Sequence, residues 1–156
     1  MKKITILLAT IFFLSASVFA QATDEQKETK KLEVMGGLSA GYMYNTYITV
    51  GAVADAFVSE QYDKDRTIAL MQEQIGMIGS VAKLMQEMLD IKALKSQSDI
   101  DYTKEVIVVL KGLSLQAQYV IDVAEKKTGD PTSKYDKQRL SNWSKISKLL
   151  GIDDEE

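Results

Sequence analysis

The sequence predicts an all-α protein, an up-down-up-down four-helix bundle that follows a cleaved N-terminal signal peptide. Three observations lead there. One proline and nine glycines in 156 residues leave few chain breakers. Long runs of Leu, Met, Gln, Glu, Lys and Ala are good helix formers. Turn signals fall at only a few places, and short connections between long helices force neighbours to run antiparallel.

The leader is residues 1–20, with two lysines, an apolar stretch from Ile4 to Leu14 and small residues ending at Val18-Phe19-Ala20, the pattern a signal peptidase cuts. Cleavage after Ala22 also fits, because Ala20-Gln21-Ala22 is an A-x-A site. As a membrane anchor the stretch is short and is diluted by Thr5, Thr10, Ser15 and Ser17. With no cysteine there is no lipidation at the cut, no disulfide and no thiolate chemistry. The expected organisation is signal peptide 1–20, bundle domain 21–152 and acidic tail 153–156, with a periplasmic or secreted location. Loss of Lys2 and Lys3 takes the net charge from −3 to −5, which argues against a nucleic-acid binder.

The first helix is expected from a Thr23/Gln26 capping box to about Tyr62. The β-forming stretch Tyr42–Val50 and the Gly36-Gly37 pair mark where it is weakest. The second runs from about Lys64 to Ser96. The third is capped by Ser98 with Asp101 and ends at Lys126-Lys127, whose charges suit the helix dipole, with Gly129 beyond. The fourth opens with Asp130 as N-cap and Pro131 in the first turn and stops at Gly151.

The second helix carries one apolar stripe of Ile68, Met71, Ile75, Ile78, Ala82, Met85 and Leu89, and another of Leu70, Met77, Val81, Leu84, Met88 and Ile91. A bundle helix needs only one such face. The third shows the same excess: Val106, Leu110, Leu113, Ala117, Ile121 and Ala124 face inward, while Val108, Leu115 and Tyr119 point the other way. Either the first helix covers this surplus, or it binds a partner, a homodimer mate or another envelope protein. On the fourth helix Lys134, Lys137, Ser141, Lys145 and Lys148 share one arc, opposite Tyr135, Ile146 and Leu149. That arc is a solvated face or a docking strip for an acidic partner or membrane surface.

From Val34 to Ser59 the first helix is uncharged apart from Asp55, and it holds Gly36, Gly37, Gly41 and Gly51. This composition reads as a buried central helix that neighbours approach closely; Tyr42, Tyr44, Asn45, Tyr47 and Thr49 argue against a membrane span over Val34–Ala54. A buried Asp55 would need a partner, with Lys111 or Lys83 as candidates. With Asn45 and Lys111 it would form a polar ligand site inside the bundle; alternatively it is an ion pair, or faces water near the helix end.

Zero histidine removes the His-dependent triad, His-ligated haem, most zinc sites and the Glu-x-x-His di-iron sites. Phosphate-cradling glycine loops are absent. Ser80-Val81-Ala82-Lys83 and Lys127-Thr128-Gly129 occur in the order of penicillin-recognising serine enzymes, but the intervening S-x-N is missing. The N-x-S at Asn142-Trp143-Ser144 carries little, since Trp143 reads as core. Seven methionines raise copper(I), yet no His or Cys completes a site, and Met is an adaptable core filler. No enzyme activity, cofactor or metal is expected. The expectation is a bundle acting through its surface, the alternative a ligand-binding or sensing module.

Overall fold

The computed structural model describes residues 23–152; the expected signal peptide and the acidic tail lie outside them. The described residues form four helices and no strand: α1 (Asp24–Val58), α2 (Lys64–Asp90), α3 (Gln97–Ala124) and α4 (Pro131–Leu150). The chain divides into two units, Met1–Val34 and Met35–Glu156.

In the first unit the described residues open α1. Thr23 and Gln26 form the reciprocal cap the sequence predicts: the Thr23 N–H donates to Gln26 Oε1, and the Gln26 N–H donates to Thr23 Oγ1. Exposed pairs of Lys27 with Asp24, Lys30 with Glu33 and Lys31 with Glu28 follow along this turn-by-turn spacing.

The second unit is the all-α four-helix bundle. Its topology can be read from two core layers. One holds Met43, Ile78, Met85, Val106 to Leu113 and Ile146; the other holds Val50, Val53, Ala54, Met71, Ala117, Val120, Ile121 and Tyr135. Between the first layer and the second, residue numbers rise in α1, fall in α2, rise in α3 and fall in α4, which is the up-down-up-down order. Gln116 and Asn142, both fully buried, lie between these positions in sequence.

The helix ends differ from expectation for one reason. Each helix closes with a Schellman turn, in which paired N–H groups reach back to the last carbonyls. In α1 Glu60 and Gln61 donate to Phe57 and Ala56; in α2 Lys92 and Ala93 donate to Leu89 and Met88; in α3 Lys126 and Lys127 donate to Val123 and Asp122. Glu60, Lys92 and Lys126 take the left-handed conformation, with φ of 58°, 54° and 55°. Only α4 uses glycine there, at Gly151. With no glycine to mark them, the first three ends read too late: α1 stops at Val58 rather than Tyr62, α2 at Asp90 rather than Ser96, and α3 before Lys126-Lys127.

The start of α3 also moves. Ser96, not Ser98, is the cap; its Oγ accepts from the Asp99 N–H and donates to Asp99 Oδ2. The segment Ser96–Asp101 contains two overlapping S-x-x-D pairs, and buried Leu94 anchors the chain just ahead of the earlier one. By contrast, Asp130 and Pro131 open α4 as predicted.

α1 is helical through Gly36-Gly37 and through Tyr42–Val50, but it is not the central helix. That place belongs to α3, which buries eleven residues. The glycines of α1 are not points of close approach; nothing lies within 4 Å of a Cβ built at Gly36, Gly37, Gly41 or Gly51. Close approach occurs instead at Gly112 of α3, where an added Cβ would collide with the Asn142 side chain of α4. Of the described helices, α3 alone is long and apolar enough to cross a membrane, and half of its most apolar window is buried in the bundle.

Candidate interaction surfaces

α2 turns Met71, Ile78 and Met85 into the core, with Ile68, Ile75, Ala82 and Leu89 half-buried beside them. Its second stripe is split. Leu70, Val81 and Met88 are half-buried, and Leu70 and Val81 pack against the clusters that contain Val50 and Met43 of α1. Met77, Leu84 and Ile91 lie further round and remain open, with 41%, 62% and 76% of their surface exposed. Only one edge of the surplus is therefore drawn into the core.

On α3 all six residues predicted to face inward are buried. Val108 and Leu115 are exposed, while Tyr119 is half-buried against the second core layer. Val108 belongs to a groove of about 220 Å³ between α3 and α4, together with Glu105, Val109, Lys145, Lys148 and Leu149. Lys134, Lys137, Lys145 and Lys148 are all exposed. Among the described residues none of these four forms an ion pair, whereas Lys83, Lys104 and Lys127 do.

The polar trio Asn45, Asp55 and Lys111 is not brought together. α1 turns Met43, Val50 and Ala54 inward, which leaves Asp55, one residue round, exposed. No buried carboxylate then requires a partner. Lys111 lines a separate groove of about 330 Å³ between α2 and α3, with Lys83, Gln86 and Ile107. Asn45 is exposed and lines neither.

Asp55 does share a cleft with a residue that sequence reasoning missed. Arg139 lies in a cleft of about 200 Å³ with Asp55, Tyr135 and Asp136, among apolar Phe57, Val58, Val120 and Val123. The Tyr47 hydroxyl beside Arg139 pushes its guanidinium further above the ordinary value, against some desolvation, with Tyr135 and Asp55 adding to the effect. Burial in turn pushes the Tyr135 phenol up. The available signal was residue choice: Arg139 is one of two arginines among nineteen bases, and arginine is preferred where a cation must stay charged when half-buried.

A second missed feature joins α3 to α4. Gln138 Nε2 donates to Asn142 Oδ1 at 2.9 Å, and Asn142 Nδ2 donates to Gln116 Oε1 at 2.8 Å. Asn142 is thus buried and engaged. Its neighbour Trp143 is half-buried rather than core, its ring tilted against Tyr47 at 5.5 Å and Tyr44 at 6.4 Å.

The serine-enzyme fragments are engaged elsewhere. Ser80 donates its hydroxyl to the Gly76 carbonyl, Lys83 faces Glu87, and Lys127 is held by Asp122 and Glu125. Among the described residues no group of three or more acidic side chains is placed to hold a metal ion. No protein-family model, characterised protein or solved structure matches this chain.

Proposed function

We propose that the chain is exported, loses residues 1–20, and acts without chemistry of its own, through contact with a second copy or with another protein of the cell envelope. The observation that carries this reading is the open apolar line of Met77 and Leu84 on α2 and Ile91 at its C-cap; Val108 and Leu115 are exposed separately on α3. Apolar side chains scattered singly are ordinary, but a row repeating every seven residues along a helix and into its cap is ordered on one side, and exposed apolar rows of this kind suit contact surfaces. Export is supported by the lysine-apolar-small pattern of the first twenty residues.

Light scattering on the chain beginning at Gln21 tests self-association. The wild type is expected to associate, and Leu84→Glu with Met77→Glu to yield a monomer with unchanged helicity. A wild-type monomer would remove self-association. If the double variant also replaced the wild type fully in a deletion strain, the contact reading as a whole would fall.

The cleft at Arg139 favours a second reading, a ligand-binding or sensing module. Its guanidinium, the carboxylates of Asp55 and Asp136 and the apolar wall suit a small zwitterion with an apolar side chain. Thermal-shift measurements with free amino acids test it. A stabilisation lost in Arg139→Ala supports the module; no shift with any of them counts against it.

A further inference from the structure

We propose that the groove between α3 and α4 receives an acidic amphipathic helix from a partner protein. The inference rests on the contact reading above and deepens it by naming the partner's chemistry. Lys134, Lys137, Lys145 and Lys148, with Ser141 between them, recur at spacings of three and four. They therefore run along one side of α4 for roughly 20 Å. All four are exposed, and none has an ion-pair partner among the described residues. Asp136, the one acidic residue within α4, does not interrupt the row; it lies on the side that lines the Arg139 cleft. Like charges on successive turns repel one another. Carboxylates repeating with the same period on a facing helix relieve that repulsion at every turn.

The adjoining groove supplies the apolar half of the match. Val108, Val109 and Leu149 line it, with Lys145 and Lys148 from α4 and Glu105 from α3. Val108 is half exposed there. A concave apolar floor with one basic wall fits a helix that lays its apolar edge in the groove and turns its acidic flank toward α4. Glu105 separates this partner from a membrane or a nucleic acid. A run of phosphates along the groove brings anions against that carboxylate, whereas a helix presents a neutral or basic side chain at that one position.

The probe is a synthetic fluorescein-labelled helix with leucine on one face and glutamate on the other, titrated with the purified protein and followed by anisotropy. Its comparators are the same peptide with every Glu replaced by Gln, and phosphatidylglycerol vesicles. The acidic peptide is expected to bind at least ten-fold tighter than the Gln peptide, and less tightly as salt rises. Binding is lost in Lys145→Glu with Lys148→Glu and in Val108→Asp, and kept in Lys83→Glu. Equal binding of the Gln peptide, binding retained after the double charge reversal, or binding to vesicles without binding to peptide would each overturn the proposal. Circular dichroism checks that each variant is folded; for one that is not, the comparison of the two peptides on the wild type decides. Light scattering on the wild type separates the two levels. Association through α2 without peptide binding sinks the groove assignment and leaves the contact reading standing.

Discussion

Glu60, Lys92 and Lys126 hold left-handed backbone conformations that cost a residue with a Cβ about 1–2 kcal/mol each, of which glycine recovers a part after its own entropy loss. Substituting glycine at any one of them is expected to raise stability by about 0.5–1 kcal/mol, measured by urea denaturation. Gly151→Ala is expected to lower it by a similar amount. At Asp122 the Lys127 ammonium hydrogen-bonded to it holds the carboxyl below its ordinary 3.8, outweighing some desolvation. A folded-state pKa that is depressed stabilises the protein above the unfolded value, and that contribution is lost as pH falls through the folded one. Asp122→Asn should therefore lower stability at neutral pH and flatten its decline below about pH 4, as read from thermal melts across pH. Capping was legible where side chains announce it, at Thr23/Gln26 and Asp130-Pro131. It was illegible where an ordinary Glu or Lys takes a glycine's conformation, because the backbone hydrogen bonds that force it leave no trace in residue type.

α3 and α4 approach closely at Gly112, and the Asn142 amide occupies the space a side chain there would need. Because Asn142 is fixed by Gln116 and Gln138, it cannot swing aside cheaply. Gly112→Ala is expected to destabilise by about 1–3 kcal/mol. Asn142→Ala alone should cost a similar amount, since Gln116 Oε1 is left buried without its donor. The double variant should be less destabilised than the two losses added together, because removing the amide makes room for the methyl group; a double-mutant cycle with no coupling would contradict this packing. The inward face of α3 was readable from its period alone. Which helix is central was not. The uncharged composition of α1 suggested burial, yet Leu38, Tyr44 and Ile48 are exposed and no neighbour lies within 4 Å of a Cβ built at any of its glycines. A lack of charge records what a helix omits, while the number of neighbours it has is decided by the other three.

The two core layers, stacked along antiparallel helices, account for the fold of a chain that has no cysteine to cross-link it. The same packing leaves part of the apolar surface predicted for α2 and α3 uncovered. Four amphipathic helices in a bundle need one apolar face each; α2 has a second stripe, of which only the edge carrying Leu70, Val81 and Met88 is half-buried. The interaction surface was thus partly legible as an excess of apolar residues, whereas the row of lysines became informative only once α4 was seen to place it beside the Val108 groove. That Asp55 shares a cleft with Arg139 was out of reach, since it depends on the rotation of α1 about its own axis. If α2 makes contact through its open line, Met77 is shielded in the working protein and uncovered in the isolated chain, while Met71, fully buried, is shielded in both. Methionine oxidation footprinting in intact cells and on the dilute purified protein tests this most directly. Protection of Met77 in cells to the level of Met71, lost on dilution, is the result expected; equal oxidation of Met77 in both settings would contradict it.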